Sequence, residues 1–128
     1  YCSAHVEVPD TMTAAEIDEL QRNATIKLYL QEKIILTAMS IYSRNTTDPE
    51  IMAIQEDIYR TAFQHKYVLQ LHGFYLNREE MRIQFDIVID FDAPNRSDVY
   101  KHVVAEIQNK YPQYRIVATL DTDFSLSE

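Results

Sequence analysis

Four residues in the C-terminal half offer the clearest chemistry in this sequence: His72, Asp86, Asp121 and Asp123. His72 and Asp86 lie on the two arms of VLQLHGFYLNREEMRIQFDIVIDF, which reads as two strands around the polar turn Asn77-Arg78-Glu79-Glu80. A register symmetric about Glu79 sets His72 across from Asp86, with β-carbons about 5 Å apart. Asp121 and Asp123 stand two apart near the end of the last strand and so face the same way. If that strand lies beside the hairpin, one imidazole and three carboxylates share a sheet face. Such a mixed nitrogen and oxygen set suits a divalent cation, Zn, Mn, Fe or Co, and the carboxylate excess favours the harder ions. The alternative is a group of solvated polar residues near strand ends.

Other candidates fall away on inspection. No Ser or Cys sits in a recognisable nucleophile elbow. Asp121 and Asp123 could form an acid/base pair, but no substrate handle accompanies them, so the reading is not an enzyme. His65 and His102 fall in helical segments among polar neighbours and are expected to face solvent. The single glycine leaves no Gly-rich phosphate loop. A net charge of −8 disfavours nucleic acid, whose phosphates need Lys and Arg to replace counterions. It equally disfavours an anionic membrane surface, while suiting attraction of cations. Cys2 is the lone cysteine, so no internal disulfide forms, which fits a reducing compartment.

The elements that must position these residues follow from hydrophobic period. Ser3–Pro9 alternates as a strand, with His5 and Glu7 on one face and Ala4, Val6 and Val8 on the other. Thr13 and Glu16 fit a capping box, and Ile17, Leu20, Ala24 and Leu28 follow at helical spacing. Ile34–Ser43 reads as a second strand and 44–47 as a loop. Asp48-Pro49 opens a helix striped by Ile51, Ile54, Ile58 and Ala62, with Pro where no amide donor is missed. In the second hairpin arm Met81, Ile83, Phe85, Ile87 and Ile89 face one side. Arg82, Gln84, Asp86 and Asp90 face the other, with Val88 among them. A helix over 95–110 turns Val99, Val103 and Ile107 inward and ends at Tyr111-Pro112. Arg115–Asp123 is the last strand. Expected core residues are Ile83, Phe85, Ile87, Val103, Ile107, Ile116 and Ala118.

The chain of 128 residues, 46% apolar, thus reads as two modules: 1–47, a truncated β-α-β half, and 48–128, a complete αββαβ. His5 to Ser40 spans the same distance as Asp86 to Asp121, and the strand–helix–strand order matches, which suggests a diverged repeat. His5 falls where Asp86 does, but its partners Ser40 and Tyr42 are poor ligands. No run of about 18 apolar residues is present, and the first ten residues do not read as a signal peptide.

The ordered set HGFYLN, MRIQFDIVIDF and VYKHVVAEIQNKYPQYRIVATLDTDFS resembles the C-terminal cytoplasmic domain of cation diffusion facilitator transporters. That family shows a hairpin with His near the end of its first arm and a polar ligand in its second. A helix ending in a Tyr-Pro or Phe-Pro step follows, then a strand with a ligand-x-ligand tail. SAHVEVPDTMTAAEIDEL resembles the second arm and following helix of the same module. The resemblance covers nearly the whole chain, as one truncated and one complete copy.

It implies a ferredoxin-like, metallochaperone-like α/β (α+β) fold that dimerises and binds a divalent cation. The domain would sit at the cytoplasmic face of the cell membrane, regulating an efflux transporter whose transmembrane part precedes Tyr1. The family's ligands fall on His72, Asp86, Asp121 and Asp123, with Glu56 the nearest acid to a further one on the preceding helix. The family often has His at several of these positions, whereas this chain has Asp at three of the four, so the resemblance does not fix zinc as the ion. A metal-free dimerisation module and a ferredoxin-like small-molecule sensor are the rival readings.

Overall fold

The computed structural model describes residues 1–121. They fall into two compact units, Tyr1–Thr47 and 48–121, and together form a mixed α and β arrangement with two sheets.

The first unit is a β-α-β. Strand β1 (Cys2–Pro9) pairs in parallel with β2 (Leu36–Arg44), and helix α1 (Ala14–Lys27) connects them. The capping box forms as its sequence requires. Thr13 N–H donates to Glu16 Oε1 at 2.9 Å, and Glu16 N–H donates to Thr13 Oγ1 at 3.2 Å. The bond from the Thr13 amide above all, with the Thr13 side chain second, holds the Glu16 carboxyl below its ordinary range. The helix then widens into a π-helical turn, Leu28–Glu32, closed by Ile34 N–H on Leu28 O. Lys33 stops it in the left-handed region (φ 56°), where glycine is usual. This extra turn takes up Ile34, the Ile35 carbonyl accepts from Cys2 N–H of β1, and β2 starts at Leu36, two residues later than the alternation suggests. Ile17, Leu20, Ala24 and Leu28 are the half-buried side of the helix, as their spacing requires, but α1 buries no residue fully. Within this unit Val8 is the one buried apolar side chain among the described residues.

The second unit has the expected αββαβ order. Helix α2 (Pro49–Phe63) leads into strand β3 (Val68–Asn77), β4 (Arg82–Ile89), helix α3 (Arg96–Lys110) and β5 (Arg115–Asp121). The sheet order is β3-β4-β5, with β3 antiparallel and β5 parallel to the central β4. Ile51, Ile58 and Ala62 of α2 and Val103 and Ile107 of α3 pack with Ile83, Phe85, Ile87 and Ile89 in one core. Each large apolar side chain so enclosed stabilises the fold by roughly 1.5–3 kcal/mol. Ile116 and Ala118 pack against it from β5, half-buried. Both helices therefore lie on one face of the sheet.

Polar bonds finish the ends. Asp48 caps α2, accepting from the amides of Glu50 (3.0 Å) and Ile51 (3.2 Å), and also accepts from Arg78 Nη2 at 2.8 Å. That last contact ties the hairpin tip to the helix start. At the far end Tyr111 Oη donates to Asp57 Oδ2 at 2.5 Å, and Lys110 Nζ donates to Asp57 Oδ1 at 3.0 Å. Gln108 braces the turn from α3 into β5. Its Nε2 donates to Tyr111 O and Tyr114 O, and its Oε1 accepts from Ile116 N–H.

Two side chains depart from the alternation. Met81 is not an inward strand residue: it ends the turn with φ 52° and is 40% exposed. His65 does not face open solvent but lies 3.3 Å from Glu106 Oε1, its side chain 25% exposed.

Candidate metal centre

The site lies on the sheet face opposite the helices. Its geometry starts from a bulge in β3. Near the turn, Asn77 pairs with Arg82 and Leu76 with Ile83; further in, His72 pairs with Asp86 and Leu71 with Ile87. The register changes by one between His72 and Tyr75. Gly73 and Phe74 thus share the place opposite Phe85, and Gly73 takes φ 68°, a conformation that costs other residues roughly 1–2 kcal/mol. Without that extra residue absorbed, the turn's register would set His72 across from buried Ile87. With it, Leu71 and Phe74 both point to the core and His72 emerges beside Asp86. The symmetric register about Glu79 therefore holds from Gln70 to His72, fails nearer the turn, and fails again at Val68.

Asp121 arrives from the other side. On the parallel ladder Asp86 pairs with Thr119 and Val88 with Asp121, and paired residues share a face. In the first unit His5 pairs with Ser40, so the equal His5–Ser40 and Asp86–Asp121 spacings do not mark equivalent ladder positions. The partner equivalent to Ser40 is Thr119. Asp121 stands one face-equivalent step beyond it.

His72 reaches both acids. Its Nδ1 is 3.7 Å from Asp86 Oδ2 and its Nε2 is 3.2 Å from Asp121 Oδ2. Because β3 and β5 flank β4, roughly 9–10 Å apart at ordinary strand spacing, the imidazole must cross over β4 to do this. The residue on that face beside Asp121, Val88, is 2% exposed. All three polar side chains are a fifth to a third exposed, so water and ions reach them.

The arrangement is a carboxylate–imidazole–carboxylate row. Asp86 and Asp121 face opposite edges of one ring. Among the described residues no group of three or more His, Cys, Asp or Glu side chains is disposed around a common point to hold a metal. The donor set fits a cation in part. His72 Nε2 with Asp121 supplies one nitrogen and one carboxylate oxygen, a pair that first-row divalent ions accept. Asp86 does not converge on the same point. Asp123 lies outside the described residues. Glu56 is on α2, on the helix side of the sheet, 3.6 Å from Arg60, and does not join the row.

Two residues with a bearing on the site went unnoticed in the sequence, Gly73 and Thr119. A signal existed for the first: Leu71 and Phe74 are three apart, a spacing no regular strand buries on one face, and the chain's one glycine lies between them. In the first unit, His5 stacks on Tyr42 with ring centroids 5.7 Å apart, its Nδ1 3.3 Å from the Tyr42 hydroxyl. That is a stacked aromatic contact, unlike the ion-pair row at His72.

No protein-family model, curated protein or solved structure matches the chain. Among the described residues no helix is long and apolar enough to cross a membrane.

Proposed function

We propose that this chain is a regulatory and dimerisation domain that senses a divalent cation for an efflux transporter of the cation diffusion facilitator type. The observation that carries the reading is the placement of His72 Nε2 3.2 Å from Asp121 on the face of the αββαβ sheet opposite α2 and α3. The net charge of −8 supports recruitment of cations to it. An ion held there would tie β3 to β5 across β4 and stiffen the sheet, a local change that a connected membrane domain could read. Two protein donors leave coordination positions open. Water, Asp123 or a second copy of the chain would fill them, which makes binding weak and links it to dimerisation.

Calorimetric titration with Zn, Mn, Co and Fe(II), with sedimentation run alongside, tests this. Saturable uptake of at least one cation, lost in Asp121→Asn, is the expected result. No uptake of any of the four, or unchanged affinity in the variant, overturns it.

A metal-free dimerisation module is the second reading. It is favoured by the apolar residues that the first unit leaves exposed, Ile26, Tyr29, Leu30 and Ile35. A dimer that forms fully in chelator and is indifferent to added metal would select it.

A further inference from the structure

The row of His72 between two acids assigns unequal work to those acids. We propose that Asp86 is a positioning residue for the cation site and not one of its ligands, and that the ion sits on the Nε2 edge of His72 beside Asp121. The proposal rests on the cation-binding reading above.

The argument starts from the ring. The two imidazole nitrogens point away from each other, so an ion bound through one cannot be shared with a carboxylate that addresses the other. Asp121 addresses Nε2 at 3.2 Å and Asp86 addresses Nδ1 at 3.7 Å. The two edges are not equivalent. Nδ1 is a buried atom, and an ion there would have no room for the water that must complete its shell. The His72 side chain is nevertheless a fifth exposed and Asp121 beside Nε2 a quarter exposed, so the ring's access to water lies away from Nδ1.

A neutral imidazole carries one N–H. Once Nε2 gives its lone pair to a cation, the proton must reside on Nδ1, and that N–H needs an acceptor. Asp86 is the carboxylate on that edge. It stands on the central strand, held by ladders on both sides, with His72 opposite and Thr119 beside it. A carboxylate behind a ligating histidine fixes tautomer and ring orientation and raises the basicity of the ligating nitrogen. The present 3.7 Å is longer than a hydrogen bond, so cation binding should draw the carboxylate in. Gly73 belongs to the same device, because its bulge is what brings His72 opposite Asp86 in place of Ile87.

The test uses the whole chain with 15N-labelled histidine and Zn as the probe ion. Long-range proton–nitrogen spectra follow His72 while calorimetry gives affinity. In the unmutated chain, Zn should shift Nε2 as a ligand and leave Nδ1 protonated. Asp86→Asn should keep the stoichiometry, lose about 10- to 100-fold in affinity and blur the tautomer; Asp86→Glu should restore part of both. Asp121→Asn should lose binding. Ligation at Nδ1, or an Asp86→Asn variant that loses binding as fully as Asp121→Asn, overturns the division of roles while leaving the cation site standing. Absence of any Zn uptake by the unmutated chain overturns the cation reading itself. The ligated nitrogen is read on the unmutated chain, so a variant that folds poorly does not blunt the test.

Discussion

The units β1-α1-β2 and β4-α3-β5 share an order, a parallel strand pair and a helix that opens on a side-chain cap, Thr13 in one and Asn95 in the other. Their interiors differ. The second encloses Phe85, Ile87, Val103 and Ile107 almost completely, whereas the first, among its described residues, encloses Val8 alone. The added parts explain the contrast. In the second unit β3 supplies a third strand and α2 a second helix, so the sheet has a central member and its apolar face has two covers. The first has two edge strands and a helix with only half-buried positions. A β-α-β crossover is a connection that needs neighbours to become a core.

Cutting the chain between the units exposes the contrast most severely. A fragment spanning 48–128 should unfold in a single cooperative urea transition, while 1–47 alone should show the circular dichroism of an unfolded chain. A cooperative transition in 1–47 would mean that burial is a poor guide to which unit is autonomous.

The bulge gives a smaller, local effect. Gly73→Ala forces a β-carbon into φ 68° and should cost about 1–2 kcal/mol in chemical denaturation. Lys33, already non-glycine at φ 56° in the first unit, should gain stability when replaced by Gly. If neither change moves the midpoint, left-handed strain does not distinguish the two units.

The smallest expected effect concerns Asp57 and Tyr111, a polar latch built on a phenol, where the first unit's Asp10 accepts from the Thr46 and Thr47 hydroxyls. The Tyr111 hydroxyl, helped by Lys110 and Arg60, holds the Asp57 carboxyl below its ordinary range. Burial, then the bond to Asp57, pushes the Tyr111 hydroxyl up to about 12. A lowered carboxyl stabilises above the unfolded value near 4 and loses that contribution as pH falls through the folded one. A raised phenol stabilises below about 10 and loses its contribution as pH rises toward 12. Tyr111→Phe should therefore cost about 1 kcal/mol at pH 7, with the gap narrowing at pH 3 and at pH 11. A gap constant across that range would show that the contact is not coupled to ionisation of either group.

Much of this could be read from the residues alone. Period-2 alternation located β4, and helical spacing located both faces of α2 and α3, because one side of each is buried and the other is not. The pairing of His72 with Asp86 was readable only because the bulge compensates for the true centre of the turn, half a residue beyond Glu79. The cross-ladder partner of Asp86 was not readable. A parallel register depends on how much chain the crossover consumes, and in the first unit a π-helical turn and a left-handed Lys33 consume residues that leave no mark on hydropathy. The opposed placement of the two acids about the ring was equally hidden, since strand periodicity gives a face and not the edge of an imidazole.

The row of His72 between its acids also has an order in time. Asp86 is fourteen positions from His72 along the chain and Asp121 is forty-nine. Closing the longer segment costs about 1 kcal/mol more in chain entropy, and it requires α3 to be seated before β5 can dock. The hairpin, a local structure, forms on the microsecond scale. The contact with Asp86 thus needs the hairpin alone, whereas the contact with Asp121 also needs α3 and β5 in place. Contact of His72 with Asp121 is made only by a finished domain, so any property that depends on it reports completion of folding.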